Sequence, residues 1–463
     1  MILNIWHFLG FIIIFAIICY AGYYSGRKIK CAEDFSRGGS SNSFIIAGAI
    51  MGTLVGGSST VGTAQLAFNF GMSAWWFTLG GGISCLFLAL FFVKPFRKNG
   101  SSGTLTGIIA NEYGTKAGIL ASSLSSVGIF INLLAQLISA QALINTIFPD
   151  LNIVITTLIA ALLMTVYVVF GGVFAAGLVG VIKLILLYGA VLIGAFVAVY
   201  LAGGFGTFWN ELPHESYFSL IARGAGTDIG AAVSLLLGVL STQSYAQAVL
   251  SGRSDREAIK GSLISAVLIP PIGAGGILIG MYMKLNYPDI VPAQAFPLFI
   301  MEKMPSFLAG IIIATLLIAV IGTGAGLSLG ISTIINNDIL RKFTKKLDDV
   351  KAYLFSSRLI IVFILGLGTV LTVIGLGETI LNFAFMSMGL RASVVFMPLF
   401  CALFFKNKIS RTWIKISIIG SPIVVLVANS LNVSFEPLFM GMIFSMICII
   451  LGGIGKKIKK AHV

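Results

Sequence analysis

Gly52-Thr53-Leu54-Val55-Gly56-Gly57-Ser58-Ser59-Thr60-Val61-Gly62-Thr63 sits in the middle of an otherwise apolar stretch, residues 43–70. Between Gly56 and Gly62 only Val61 is neither glycine nor a hydroxyl residue. Such a run holds a helix poorly, because glycine costs about 1 kcal/mol against alanine and hydroxyls compete for backbone partners. At bilayer depth a break is tolerated only where the freed backbone faces protein or a watery cavity. Broken membrane helices supply carbonyls and half-helix ends that hold ions and solutes. Close helix packing is the plainer alternative, since small residues line many membrane helix interfaces. The run is denser than packing needs, and it predicts a broken helix with a binding role.

The surrounding chain belongs in a membrane. Of its 463 residues 57% are hydrophobic and 10% charged, against about 45–50% and about 25% in soluble domains. Apolar stretches near the roughly 20 residues that cross a bilayer core recur throughout. About thirteen candidate spans run from 4–24 to 434–454, with gaps too short for a soluble module, so 1–463 is expected to be one transmembrane domain. The first stretch lacks a basic start and a small-residue cleavage site, and reads as a retained helix rather than a signal peptide.

The net charge of +14 invites a nucleic-acid reading, but its distribution argues otherwise. With the N-terminus outside, nearly every Lys and Arg falls in or beside the cytoplasmic segments. Arg223, Lys284 and Lys303 alone lie outside, against Asp150, Glu211, Glu215, Asp228, Asp289, Glu302, Glu378 and Glu436. That is the positive-inside pattern. It predicts a multi-pass plasma (inner) membrane protein with a cytoplasmic C-terminus, whose partners are the bilayer and a small solute. The five cysteines and three histidines form no disulfide frame or metal spacing.

Further irregularities fall inside spans. Gly322-Thr323-Gly324-Ala325-Gly326-Leu327-Ser328 reads as a second break, with Thr323 either an ion ligand or bonded back to its own preceding turn. Gly238 and Ser241-Thr242-Gln243 read as a third. Arg391 lies near the middle of span 379–405, where a bare charge is expensive and a role in binding or gating follows. Lys183 is shallower, and snorkelling to the cytoplasm competes with a coupling role. Trp75 and Trp76 read as interfacial anchors.

These marks together resemble the sodium:solute symporter family. Tyr23–Phe35 resembles its first loop, and Gly52–Thr63 with Gly71–Trp76 its first core helix and following turn. Tyr167–Ala176 resembles its glycine-glycine signature, Gln247–Gly261 the loop after its sixth core helix, Ser332–Leu340 the end of its eighth, and Gly389–Lys406 its tenth. The resemblance implies an all-α membrane protein of the LeuT type, with two inverted five-helix repeats. Here they would be 43–202 and 227–405, preceded by a leading helix at 4–24 and followed by two trailing helices at 412–454.

Carried onto this chain, the family's sodium site implies the carbonyls of Gly52, Val55 and Ala319 with side-chain oxygens at 322 and 323. Carbonyls and hydroxyls suit a hard cation. Position 322 is Gly322, so Thr323 alone brings a hydroxyl. Where the family commonly has an Asp three residues before a Gln, this chain has Gly180 and Lys183, so an acid is lost and a cation gained. The implied solute pocket comprises Gly56, Gly57, Ser58, Ser59 and Thr78, with Gln243 and Arg391. Small hydroxyls, two intramembrane cations and no acid suit a small organic anion or amino acid better than a hexose.

The function expected is secondary active, sodium-coupled symport of such a solute by alternating access. The alternative is a proton-linked or uncoupled transporter in which Lys183 replaces sodium. A membrane enzyme needs a base or metal ligands at depth, and none is evident in the sequence. A non-transporting sensor is the remote alternative.

Overall fold

The structure is a computed structural model that describes residues 4–26, 41–100, 103–374, 379–431 and 436–461. Most of Tyr23–Phe35, and the side chains of 169–176 in the glycine-glycine signature, lie outside the described residues. Among the described residues all regular structure is helical.

The leading helix is α1 (Ile5–Gly26). The first core helix is broken into α2 (Ser43–Leu54) and α3 (Thr63–Phe70), joined by an unwound stretch and the π-helical turn Ser58–Gly62. Then follow α4 (Trp76–Phe87), a short α5 (Leu105–Tyr113), α6 (Thr115–Ile147) and the 49-residue run α7 (Ile153–Leu201). The second half repeats the opening theme. Its first core helix is again broken, into α8 (Ala225–Leu240) and α9 (Gln243–Leu250), bent by 46°. After it come α10 (Asp255–Leu268), α11 (Pro270–Asn286), α12 (Ser306–Ile334) and α13 (Val350–Ile374). The core closes with α14 (Ile380–Arg391) and α15 (Met397–Phe404), and α16 (Arg411–Ser430) and α17 (Pro437–Ala461) trail it.

Helix starts are set by short polar caps. Asn42, Thr104, Asn152, Ser254 and Thr379 each accept a backbone N–H of the turn that follows, at 2.9–3.3 Å. Such caps satisfy first-turn donors that no carbonyl within the helix can reach. Among the described residues nine helical runs are long and apolar enough to cross a membrane, and the bent pair α8–α9 makes a tenth. The chain is therefore a multi-pass membrane protein. The thirteen expected spans do not appear one by one. The run 58–99 joins the second half of the first core helix to the next, and α7 covers two expected spans, 152–170 and 174–202.

One expectation is corrected. The glycine-rich stretch Gly322–Ser328 does not break its helix, since α12 runs uninterrupted from Ser306 to Ile334. Its glycines serve close approach instead. Gly324 packs against Met164 and Gln136, and Gly322 lies beside the Tyr167 hydroxyl. This central helix packs on α1, α6 and α7. Both halves of α7 reach it at one level, Tyr167 at Gly322 and Lys183 at Thr323.

At the end of the bundle rich in Lys and Arg the helices are tied together. Arg97 pairs with Asp255 at 2.6 Å and donates to the carbonyls of Val249 and Gly252. Asp338, after α12, accepts from Thr104, Thr106 and Ser122, which binds α5 to α6 and α12. At the opposite end Gly71 turns the chain with φ +52° and ψ −126° while packed on the Tyr217 backbone, a place open to glycine alone.

Candidate functional site

The break in the first core helix arises where the sequence placed it. Val55 is extended (φ −90°, ψ 93°), and Gly56 and Gly57 follow without side chains. A Cβ on Gly56 would come within 2.5 Å of Thr323 Oγ1 and 2.8 Å of Gln136 Oε1, so α12 and α6 approach this backbone as closely as glycine permits.

The expected cation ligands converge. Thr323 Oγ1 lies 3.1 Å from Gly52 O, 3.5 Å from Val55 O and 2.9 Å from Ala319 O. Thr323 bonds back to its own preceding turn at Ala319 O and at the same time faces the carbonyls of the broken helix. Gly322 brings no oxygen, but the Tyr167 hydroxyl stands beside it. In the midst of this set is the Lys183 ammonium, which donates to Gly52 O at 2.7 Å and to Thr323 Oγ1 at 3.0 Å. Lys183 is 3% exposed, so it does not snorkel. Among the described residues no group of three His, Cys, Asp or Glu is placed to hold a metal ion.

The expected solute ligands divide between the two breaks. At the first, Gly57 N donates to Gln136 Oε1 at 2.9 Å, and Gln136 Nε2 donates to Ser58 Oγ at 3.1 Å. Ser59 and Thr60 turn back to Gly56 O, at 3.0 and 2.8 Å. At the second, Arg391 is fully buried and donates to Thr242 Oγ1 at 2.6 Å, Ser387 Oγ at 2.8 Å and Ser387 O at 3.1 Å. The other two stand apart. Thr78 bonds to Trp75 O on its own turn and faces Gly273 of α11. Gln243 clamps the start of α5, donating to Gly103 O at 3.0 Å and accepting from Leu105 N at 2.9 Å.

Helix α6 connects the breaks, and sequence reasoning passed it over. Gly128 packs on Arg391, and Gln136 holds Ser58. With Asn132 between them, the three recur every fourth residue and share one face. Eight residues of helix place the two levels about 12 Å apart along the axis. The available signal was that spacing of glycine and two amides in an apolar helix.

Known proteins bear on this geometry. The chain is 28% identical over 194 residues to the uncharacterized symporter YwcA of Bacillus subtilis (strain 168), which is 41% of this chain and 37% of that protein. It is 27% identical over 369 residues to the uncharacterized symporter YidK of Escherichia coli (strain K12), 73% of this chain and 63% of that one. The matches therefore span less than two thirds of either relative. The fold is similar to that of a Na+-coupled sialic acid symporter in a substrate-bound outward-open state. Its TM-score is 0.81 at 19% identity, over 98% of both chains. A lower likeness links it to Mhp1, a nucleobase-cation-symport-1 family transporter in a closed conformation with bromovinylhydantoin bound. There the TM-score is 0.60 at 12% identity, over 91% of this chain and 94% of that one. The fold is thus the LeuT type, shared with transporters. The profile of the sodium:solute symporter family matches residues 35–420, and the chain belongs to that family.

Proposed function

We propose that this chain moves a small organic anion across the membrane by alternating access, with the Lys183 ammonium in the coupling-cation position between the first and eighth core helices. One observation carries the reading: Nζ lies 2.7 Å from Gly52 O and 3.0 Å from Thr323 Oγ1. An ammonium and a sodium ion carry the same charge and seek the same oxygens. The site cannot hold both in this conformation. Transport is then uncoupled from sodium, or linked to protons.

Sodium coupling is the second reading. Membership of the family supports it, as does the sodium coupling of the sialic acid symporter whose fold this chain shares. The oxygens of Gly52, Val55, Ala319 and Thr323 would remain as a donor set if Lys183 swung away. The anionic solute is supported by charge. Lys183 and Arg391 are both buried, and neither forms an ion pair among the described residues. The concentration of basic residues at one end supports a cytoplasmic placement of that end.

Uptake by the purified protein in liposomes, measured with a sodium gradient, a proton gradient or neither, tests both readings. Uptake of carboxylates indifferent to sodium supports the Lys183 reading, and strict sodium dependence supports the second. Failure to move any small solute under every gradient overturns transport itself.

A further inference from the structure

Among the described residues Arg391 has only neutral partners. Its guanidinium meets the Thr242 hydroxyl, the hydroxyl and carbonyl of Ser387, and Met388 Sδ at 3.1 Å. A fully buried guanidinium satisfied only by dipoles keeps its charge at bilayer depth, where ionised groups mark solute or ion paths. Asn132 is a second, independent observation. It is 4% exposed, and among the described residues its Oδ1 meets no hydrogen-bond partner, which is rare for a buried polar atom. It lies on the α6 face that runs from Gly128, against Arg391, to Gln136, on Ser58. Each step of four residues is about 6 Å. A third observation lies at the α8–α9 break. Ser241 is 2% exposed with an Oγ that meets no partner among the described residues, and the neighbouring Thr242 does not cap α9, whose first-turn N–H groups favour an anion.

We infer that a small monocarboxylate without an amino group binds along this face of α6, between the two helix breaks. Its carboxylate joins Arg391, and a hydroxyl next to it donates to the Asn132 side chain, with Gln136 and Ser58 beyond. An ammonium on the solute would add a positive charge beside Arg391, with which no acid is paired among the described residues. This deepens the anion reading above and rests on it only in holding that the bound anion is carried.

The test is isothermal titration of the detergent-purified full-length protein with propionate, lactate and alanine, three-carbon solutes that differ in hydroxyl and charge. Lactate and propionate are expected to bind, and alanine at least about tenfold more weakly. Asn132→Leu should remove the advantage of lactate over propionate and leave propionate unchanged. Arg391→Gln should abolish carboxylate binding, and Arg391→Lys, which keeps the charge, should restore part of it. Alanine binding as tightly as lactate, or lactate keeping its advantage in Asn132→Leu, overturns the inference. If carboxylates bind in this pattern while liposomes take up nothing, the transport reading fails and the subsite stands. If liposomes accumulate a neutral solute and no carboxylate binds, the subsite fails and transport stands.

Discussion

The Lys183 ammonium and the Thr323 hydroxyl are 3.0 Å apart, although 140 residues separate them in the chain. The contact joins α7 to α12, and through Gly52 O to α2 of the broken first core helix. On the proposed reading, a side chain so placed stands where a coupling cation would sit and fastens together three helices that alternating access would move relative to one another.

Removing that ammonium should expose the oxygen set. Lys183→Gln is expected to gain sodium-dependent thermal stability, about 1–3 kcal/mol at sodium well above its dissociation constant. The wild type should melt at the same temperature in sodium and in potassium. Equal responses of the two proteins would show that Lys183 does not occupy a cation site.

Gly56 and Gly322 should respond differently. Gly56→Ala forces a Cβ to within 2.5 Å of Thr323 Oγ1, and overpacking of that kind costs about 1–3 kcal/mol. At Gly322 the nearest atom to a new Cβ is the Tyr167 hydroxyl oxygen at 3.5 Å, an ordinary contact, so Gly322→Ala should melt within about 0.5 kcal/mol of wild type. Equal losses would mean that the break does not depend on close approach by α12.

Gln243 holds α5 through both ends of its amide. Gln243→Glu keeps an acceptor for Leu105 N but loses the donor to Gly103 O, and sets a carboxylate against that carbonyl. The variant should loosen the start of α5, seen as faster hydrogen exchange at residues 103–107, and lose about 1–3 kcal/mol of stability. Unchanged exchange would place the closure of this end elsewhere, on Asp338 and Arg97.

Gly71→Ala should be the most damaging glycine substitution at the opposite end. It meets a forbidden backbone conformation (φ +52°, ψ −126°) and the Tyr217 main chain together. A loss above about 2 kcal/mol is expected from strain and displacement combined. Tyr217→Phe removes only the 2.9 Å hydrogen bond to Phe68 O, so its loss should be nearer about 1 kcal/mol.

Much of this site was legible in the sequence, for local reasons. The break at Gly56–Ser58 and the bend at Ser241–Gln243 follow from residues that cannot hold a helix. Gly52, Val55, Ala319 and Thr323 meet as the resemblance implied. Glycine alone did not separate a break from a packing face, so Gly322–Ser328 was misread. Its residues sit on a helix flanked by large side chains, Met164 and Tyr167, and those neighbours were invisible in one dimension. Lys183 could not be decided either, since snorkelling and inward reach differ only in which side of its helix faces α12. Thr78 and Gln243 were polar residues near the right depth, but their partners lie elsewhere, on Trp75 and on α5.

A cation carried on a side chain never leaves the protein. When sodium travels with a monovalent anion, the two charges cancel and the cycle is electrically silent. With Lys183 in the sodium position throughout, each carboxylate crosses alone and each turnover displaces one negative charge. A potential of about 100 mV then weighs about 2.3 kcal/mol on every crossing, and an inside-negative membrane drives the anion outward. On that proposal, the side chain at 183 sets the direction in which this protein runs downhill and the sign of the current it would pass.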